Sequence, residues 1–174
     1  MDPKDLRPAE WPELDVVDML RRLTAAGVDF VVIGGVAMLL HGSSRLTRDL
    51  DIVFAPDDEN LRGLGKTLVE LEARLRAVEE VPEFVPDHRT LASVELLTLT
   101  TRDGWLDIHR RVDGAPPYAS LRRRAERMDL NGFQVLVASP DDLMAMKRAA
   151  GRPVDRIDLD ELAAIKRLRR KAGA

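Results

Sequence analysis

Apolar positions along this chain recur with two periods, and the switches between them outline the elements. From Glu13 to Ala26, Val16, Leu20 and Leu23 fall at helical spacing, and Gly27 is placed to end the helix. "VDFVVIGG" (Val28–Gly35) is a β-branched run that reads as a buried strand, and Val36–His41 reads as a short helix starting straight after the glycines. "DLDIVFAP" (Asp49–Pro56) reads as a second strand, stopped by Pro56. Asp57–Glu80 reads as a helix whose acidic first turn suits its dipole, although Gly63 and Gly65 weaken its start. Val81–Arg89, interrupted by Pro82 and Pro86, shows no clear period. Ser93–Thr101 and Trp105–Val112 read as strands of one hairpin turned by Arg102–Gly104. "GAPPY" is a loop, and Ala119–Arg127 reads as helical.

The local signals sharpen toward the C-terminus. Asn131–Gly132 between two short runs predicts a two-residue hairpin turn, because both positions need φ > 0. Ser139 is placed to cap the next helix, with Pro140 at its first position, Asp141 and Asp142 in its first turn and Gly151 at its end. Arg152–Pro153 opens a last helix that runs to about Lys171. Strands mixed with helices, some joined by hairpins, predict an α/β (α+β) fold: a mixed β-sheet flanked by helices, with C-terminal helices. The expected organisation is a loose leader at 1–12, a core at 13–138 and a helical segment at 139–174 packed on it.

Composition narrows the class. The 174 residues suffice for one domain with a real core, and 45% apolar with 33% charged residues fits a globular chain. There is no cysteine, which excludes a disulfide framework and a thiolate zinc site and suits a reducing cytoplasm. The N-terminus is polar and acidic, unlike a signal peptide. No apolar run approaches the roughly 18–20 residues of a membrane span, so no membrane is expected as a partner. The formal net charge of −3 demands no nucleic acid. Ser120–Arg127 and Ile165–Lys171 are basic clusters, open to reading as solvated helix faces or as a phosphate-contacting surface.

The chemistry gathers between Gly34 and Ile52. Strand alternation puts Asp49 and Asp51 on one face and Leu50 and Ile52 on the other. Two carboxylates so placed repel unless they stay in water or meet a cation, and hard oxygens of this kind suit a divalent ion. A bare Asp-x-Asp is equally an exposed strand end. Gly34–Gly35 stand between a buried strand and a helix start, where glycine lets a ligand approach free N–H groups. The segment is no P-loop, lacking Gly-Lys-Ser/Thr, and no dinucleotide fingerprint, lacking G-x-G-x-x-G. A phosphate cradle followed by paired carboxylates suggests a nucleoside triphosphate with magnesium.

A Gly-Gly pair, a spacer of about a dozen residues and then Asp-apolar-Asp resembles the signature of the nucleotidyltransferase superfamily, whose best-known relative is DNA polymerase β. "RLTRDLDI" (Arg45–Ile52) looks most like the nucleotidyltransferase toxins of type IV toxin–antitoxin systems. Many members have Ser where Gly35 stands here. The resemblance covers about Val31–Phe54 and implies a third carboxylate, for which Asp107 in "WLDIHR" is the candidate. It implies two Mg²⁺ ions (Mn²⁺ substituting) on Asp49, Asp51 and Asp107, with Gly34 and Gly35 on the β- and γ-phosphates of a triphosphate such as ATP. "MKRAAGRPVDRIDLDEL" (Met146–Leu162) resembles a further toxin-like segment and implies Lys147 on the nucleotide phosphates and Asp158 near the acceptor or Lys147. Asp155 has the plainer reading of a helix-start cap. Ser43, Arg45 and Arg48, in the loop before the acidic strand, are candidates for triphosphate oxygens. His41 reads as structural, while His109, on the Asp107 face, is either a proton relay, a substrate contact or a packing residue.

The implied reaction moves an NMP from an NTP to an acceptor hydroxyl, on a tRNA 3′ end or a protein, with a cognate antitoxin as a further implied partner. The alternatives are a nucleotide-binding module without turnover and a small-molecule (antibiotic) nucleotidyltransferase.

Overall fold

The computed structural model describes residues 13–76 and 84–173. The leader expected at 1–12, positions 77–80 of the helix expected at 57–80 and positions 81–83 of the aperiodic stretch lie outside them. The elements in chain order are α1 (Val16–Ala25), β1 (Phe30–Ile33), α2 (Gly34–Leu40), β2 (Asp49–Phe54), α3 (Asp58–Glu70), β3 (Arg74–Leu75), α4 (His88–Ser93), β4 (Leu96–Thr101), β5 (Gly104–His109), α5 (Tyr118–Arg124), β6 (Glu126–Asp129), β7 (Gln134–Val137), α6 (Pro140–Ala150) and α7 (Pro153–Ala172). The strands form one mixed sheet in the order β3-β4-β5-β2-β1-β7-β6. β1 runs antiparallel to β2, whereas β2 runs parallel to β5 and β1 parallel to β7.

Local chemistry explains most boundaries. The side chains of Asp15, Asp57, Asp87 and Ser139 each accept from a backbone N–H in the first turn of the helix that follows. Asn131 and Gly132 adopt φ of 55° and 98°, and the Leu130 N–H donates to the Phe133 carbonyl at 2.8 Å, closing the expected hairpin. Gly151 ends α6 in the left-handed conformation.

Four expectations are corrected. The helix after β1 starts at Gly34 itself rather than at Val36, with Gly34 at φ 65°. α3 stops at Glu70, because the chain turns at Leu71–Glu72, with Glu72 at φ 54°, and enters the two-residue strand β3. α4 occupies the end of the unassigned stretch and delays β4 to Leu96. β5 ends at His109 rather than Val112.

The core explains the alternation in β2 and β5. Leu50, Ile52, Leu106 and Ile108 are fully buried and join a cluster with Met19, Leu20 and Leu23 of α1 and Leu61, Leu64 and Leu68 of α3. Each such leucine contributes about 1.5–3 kcal/mol by leaving water. The residues between them are thereby fixed on the opposite face, where the candidate site lies. No helix among the described residues is long and apolar enough to cross a membrane.

Candidate functional site

β2 and β5 are neighbours in register. Asp51 stands opposite Asp107, Asp49 opposite Trp105 and Val53 opposite His109. On its other side Asp51 stands opposite Ile33, the last residue before Gly34. The three carboxylates therefore share one sheet face, with two of them directly side by side. Gly34 closes against them: a Cβ there would lie 2.2 Å from Asp51 Oδ2 and 2.9 Å from Asp51 Cβ. A Cβ at Gly35 would lie 2.4 Å from Thr47 Oγ1. The two glycines let the start of α2 press onto the acidic strand and onto the loop that feeds it.

Burial and mutual repulsion govern these acids. Burial, then the charge of Asp51, pushes Asp49 above the ordinary carboxylate range. Burial, then Asp51 again, pushes Asp107 up to about 7, while the Arg76 guanidinium opposes the rise. The surroundings supply positive charge and donors. Arg76 forms an ion pair with Asp107. His109 Nε2 lies 3.1 Å from Asp51 Oδ1. The Thr47 hydroxyl donates to the Asp49 carbonyl at 3.2 Å and is 3.4 Å from its Oδ1. Arg76 and Arg48 lie over the Trp105 ring, 4.8 Å and 5.9 Å from its centroid.

A second network inverts this charge pattern. Lys147, on α6, is buried with its Nζ 2.7 Å from Asp158 and 3.3 Å from Asp155 of α7. Arg45 Nε reaches Asp158 Oδ1 at 3.0 Å from the other side. At the start of α7 the Asp155 carboxylate accepts from the Arg152 backbone N–H at 2.9 Å and from its guanidinium at 2.9 and 3.1 Å, while the Asp155 N–H donates to the Arg152 carbonyl at 2.9 Å. Burial alone would raise the Asp155 carboxyl, but hydrogen bonds from the Arg152 side chain and backbone and from Lys147 outweigh it and hold it down at about 2. The Ser43 hydroxyl donates to Glu161 at 2.9 Å, so the loop from Ser43 to Arg48 is fastened to α7 at two points.

A cavity of about 780 Å³ separates the two networks. Gly34, Gly35, Arg45, Arg48, Asp49, Asp51, Asp107 and Lys147 all line it. Ser43 and Asp158 do not: the hydroxyl of Ser43 is spent on Glu161, and Asp158 is fully buried behind Lys147 and Arg45. Arg152, Thr47 and His109 also line the cavity, as do apolar Leu143, Met146 and Val154. Arg152 was hidden in the sequence as a helix start, and Arg76 carried no signal beyond being one of many arginines. His41 is structural, with its Nε2–H on the Ala138 carbonyl at 2.8 Å and burial lowering its pKa.

The acids suit a divalent cation by the chemistry of their donor set. Three hard carboxylates share a face, repel one another, and already draw a cation, Arg76, that stands in for such charge. As their side chains stand, no three acid or imidazole groups among the described residues are gathered closely enough to hold an ion. An ion there would compete with Arg76 for the Asp107 carboxylate.

No curated protein sequence matches the chain. Among solved structures, the lincosamide antibiotic adenylyltransferase LnuA in its lincomycin-bound form superposes with a TM-score of 0.61 at 17% identity, covering 88% of this chain and 99% of that one. ANT(2″)-Ia in complex with adenylyl-2″-tobramycin gives a TM-score of 0.49 at 16% identity, covering 90% of this chain and 95% of that one. At such identity the likeness to LnuA shows a shared nucleotidyltransferase fold. The family model described as nucleotidyl transferase AbiEii toxin, type IV TA system, matches residues 18–164. The acidic strands, the glycine turn and the Lys147 network all fall inside that match, and the chain belongs to this family of nucleotidyltransferase toxins.

Proposed function

We propose that the protein transfers an NMP from a nucleoside triphosphate to an acceptor hydroxyl, with a divalent metal held by Asp49, Asp51 and Asp107. The observation that carries this reading is the register of β2 and β5, which sets Asp107 beside Asp51 and on the Asp49 face. Mg²⁺ is the expected ion, with Mn²⁺ able to replace it. Bound there, it would supply the positive charge that offsets the phosphates and the attacking oxygen. The chain's own residues do the rest. The backbone at Gly34 and Gly35, which lines the cavity and carries no side chain of its own, offers the N-terminal N–H groups of α2 to the β- and γ-phosphates. Lys147, Arg45, Arg48 and Arg152 line the same cavity and bring cationic donors to the triphosphate. Asp158 acts through Lys147 and Arg45, fixing where both charges stand. Catalysis is then chiefly positioning and charge neutralisation.

The acceptor is the finer question. The basic clusters lend RNA little special support, because Arg122 pairs with Asp29, Arg124 with Asp142, Lys166 with Asp141 and Arg169 with Glu126. An RNA end or a protein hydroxyl remains the reading that fits a toxin with a cognate antitoxin. The likeness to LnuA, solved with lincomycin, favours a small-molecule hydroxyl as the second reading. One experiment separates them. The protein is incubated with each α-labelled nucleoside triphosphate and Mg²⁺, in turn with total RNA, cell lysate protein and a lincosamide. Label in one fraction identifies the acceptor. Asp49→Asn and Asp51→Asn should each abolish labelling, and full activity in both variants refutes the reading.

A further inference from the structure

The acidic row is neutralised from within, and Arg76 is the cation of that row for which the proposed reaction has no use. Arg76 directly follows β3 at the sheet edge, and its N–H donates to the Thr98 carbonyl at 2.9 Å. Thr98 stands opposite Asp107, and Asp107 opposite Asp51. Arg76, just past β3, and Thr98, Asp107 and Asp51 on the three strands β4, β5 and β2 thus form one line. The guanidinium packs over Trp105 and pairs with Asp107 Oδ1. Both charged side chains are little exposed, at 12% and 14%. Sandwiched this way, the guanidinium is a fixed charge rather than a solvated one. The carboxylate it holds is one of the three assigned above to a divalent ion, so the guanidinium and an ion compete for the same side chain.

We propose that Arg76 is a positioning residue of the transfer reaction: it holds Asp107 in the nucleotide-free protein and yields it to the divalent ion that enters with the nucleotide. This rests on the reading of Asp49, Asp51 and Asp107 as ion ligands. At rest, Arg76 supplies the charge that lets three neighbouring acids share a low-water site. It therefore competes with a metal ion that arrives alone. A metal–nucleotide complex brings contacts on the glycine turn and on Lys147 that a lone ion lacks, and those contacts drive the exchange.

The test is Mn²⁺ binding to the full chain without nucleotide, followed by electron paramagnetic resonance of the unbound ion. Arg76→Gln should bind Mn²⁺ on the order of tenfold more tightly than the wild type, because one competing positive charge is gone. Arg76→Met, which keeps an unbranched stem against Trp105, should show the same gain and serves if the Gln variant fails to fold. Arg76→Lys restores the charge and should return affinity to near the wild-type value. The gain should vanish in the double variant Arg76→Gln/Asp107→Asn. If neutral variants bind Mn²⁺ no better than the wild type while Asp107→Asn weakens binding, the inference about Arg76 falls and the ligand reading stands. If Asp107→Asn binds as the wild type does, the ligand reading falls and takes the inference with it.

Discussion

Replacing Gly34 by alanine tests whether the turn and the acidic strand are one structure. Gly34 has φ 65°, and Gly27 has φ 71°. Alanine in that left-handed region costs about 1–2 kcal/mol at either position. The two sites differ in what the new methyl meets. Nothing lies within 4 Å of a Cβ at Gly27, whereas at Gly34 it would stand 2.2 Å from Asp51 Oδ2, 2.8 Å from Cγ and 2.9 Å from Cβ. Rotating the Asp51 carboxylate removes the first clash but not the last, so the backbone of β2 or α2 must shift. An off-rotamer Asp51 adds about 0.5–1.5 kcal/mol, and the backbone shift adds more. Gly27→Ala should therefore lower the melting temperature by about 2–8 °C with transfer activity intact. Gly34→Ala should lose about 2–4 kcal/mol, and with it nearly all labelling from α-labelled nucleotide, because Asp51 no longer stands beside Asp107. Denaturant midpoints and the labelling assay read both variants side by side. Equal stability and equal activity in the two would refute the claim that the glycine turn fixes Asp51.

Three further outcomes are expected. Gly35→Val places side-chain atoms against Thr47, whose Oγ1 would be 2.4 Å from the new Cβ, and should weaken nucleotide binding in calorimetry more than it lowers the melting temperature. Lys147→Met leaves Asp155 and Asp158 buried with one cation fewer and should cost about 3 kcal/mol in denaturant unfolding, part of it recovered in Lys147→Met/Asp158→Asn. The Asp155 carboxyl is held at about 2 in the folded protein against an ordinary 3.8, so the stability it adds is fully present above about pH 4 and lost as pH falls toward about 2. Asp155→Asn should accordingly flatten the fall in stability between about pH 4 and about pH 2, and an unchanged slope would count against the Arg152–Asp155–Lys147 network.

How much of this was legible in the sequence depended on the range of the interaction. Asp49 and Asp51 share a face because strands alternate, and the apolar residues between them reveal which face is core. Ser139–Pro140 and Asn131–Gly132 act within a few residues of themselves, so their geometry follows from their identity. β3 escaped because two residues carry no period, and α3 appeared longer because Glu72, not a glycine, makes the left-handed turn that ends it. The pairing of Asp107 with Asp51 was inferred from a family resemblance, since nothing local to "WLDIHR" says that β5 lies beside β2. The charge partners were invisible for the same reason. Arg76 reaches Asp107 across 31 positions, and Ser43 reaches Glu161 across 118, so the sequence offered Ser43 as a phosphate contact when its hydroxyl was already committed.

The two walls of the cavity solve opposite problems by the same means, and this explains why the C-terminal helices belong to the site rather than merely pack on it. On the sheet, acids that would repel are held together by the Arg76 guanidinium on Asp107 and by the His109 ring beside Asp51. On α6 and α7, a buried ammonium is paired with two aspartates one helical turn apart. The second solution does further service: Asp155 both accepts from the Arg152 N–H at the start of α7 and holds Lys147, and Asp158 holds both Lys147 and Arg45. The register of α7, the position of the cavity's buried cation and the path of the loop entering β2 are consequently set by the same two carboxylates. A change at either one must be felt at Lys147 and, through Asp158, at the loop that delivers Asp49, although neither aspartate lines the cavity. The charges facing the cavity are thus paired across elements distant in sequence: Asp107, Lys147 and Arg45 each meet a partner that the fold, rather than the neighbouring sequence, brings to it.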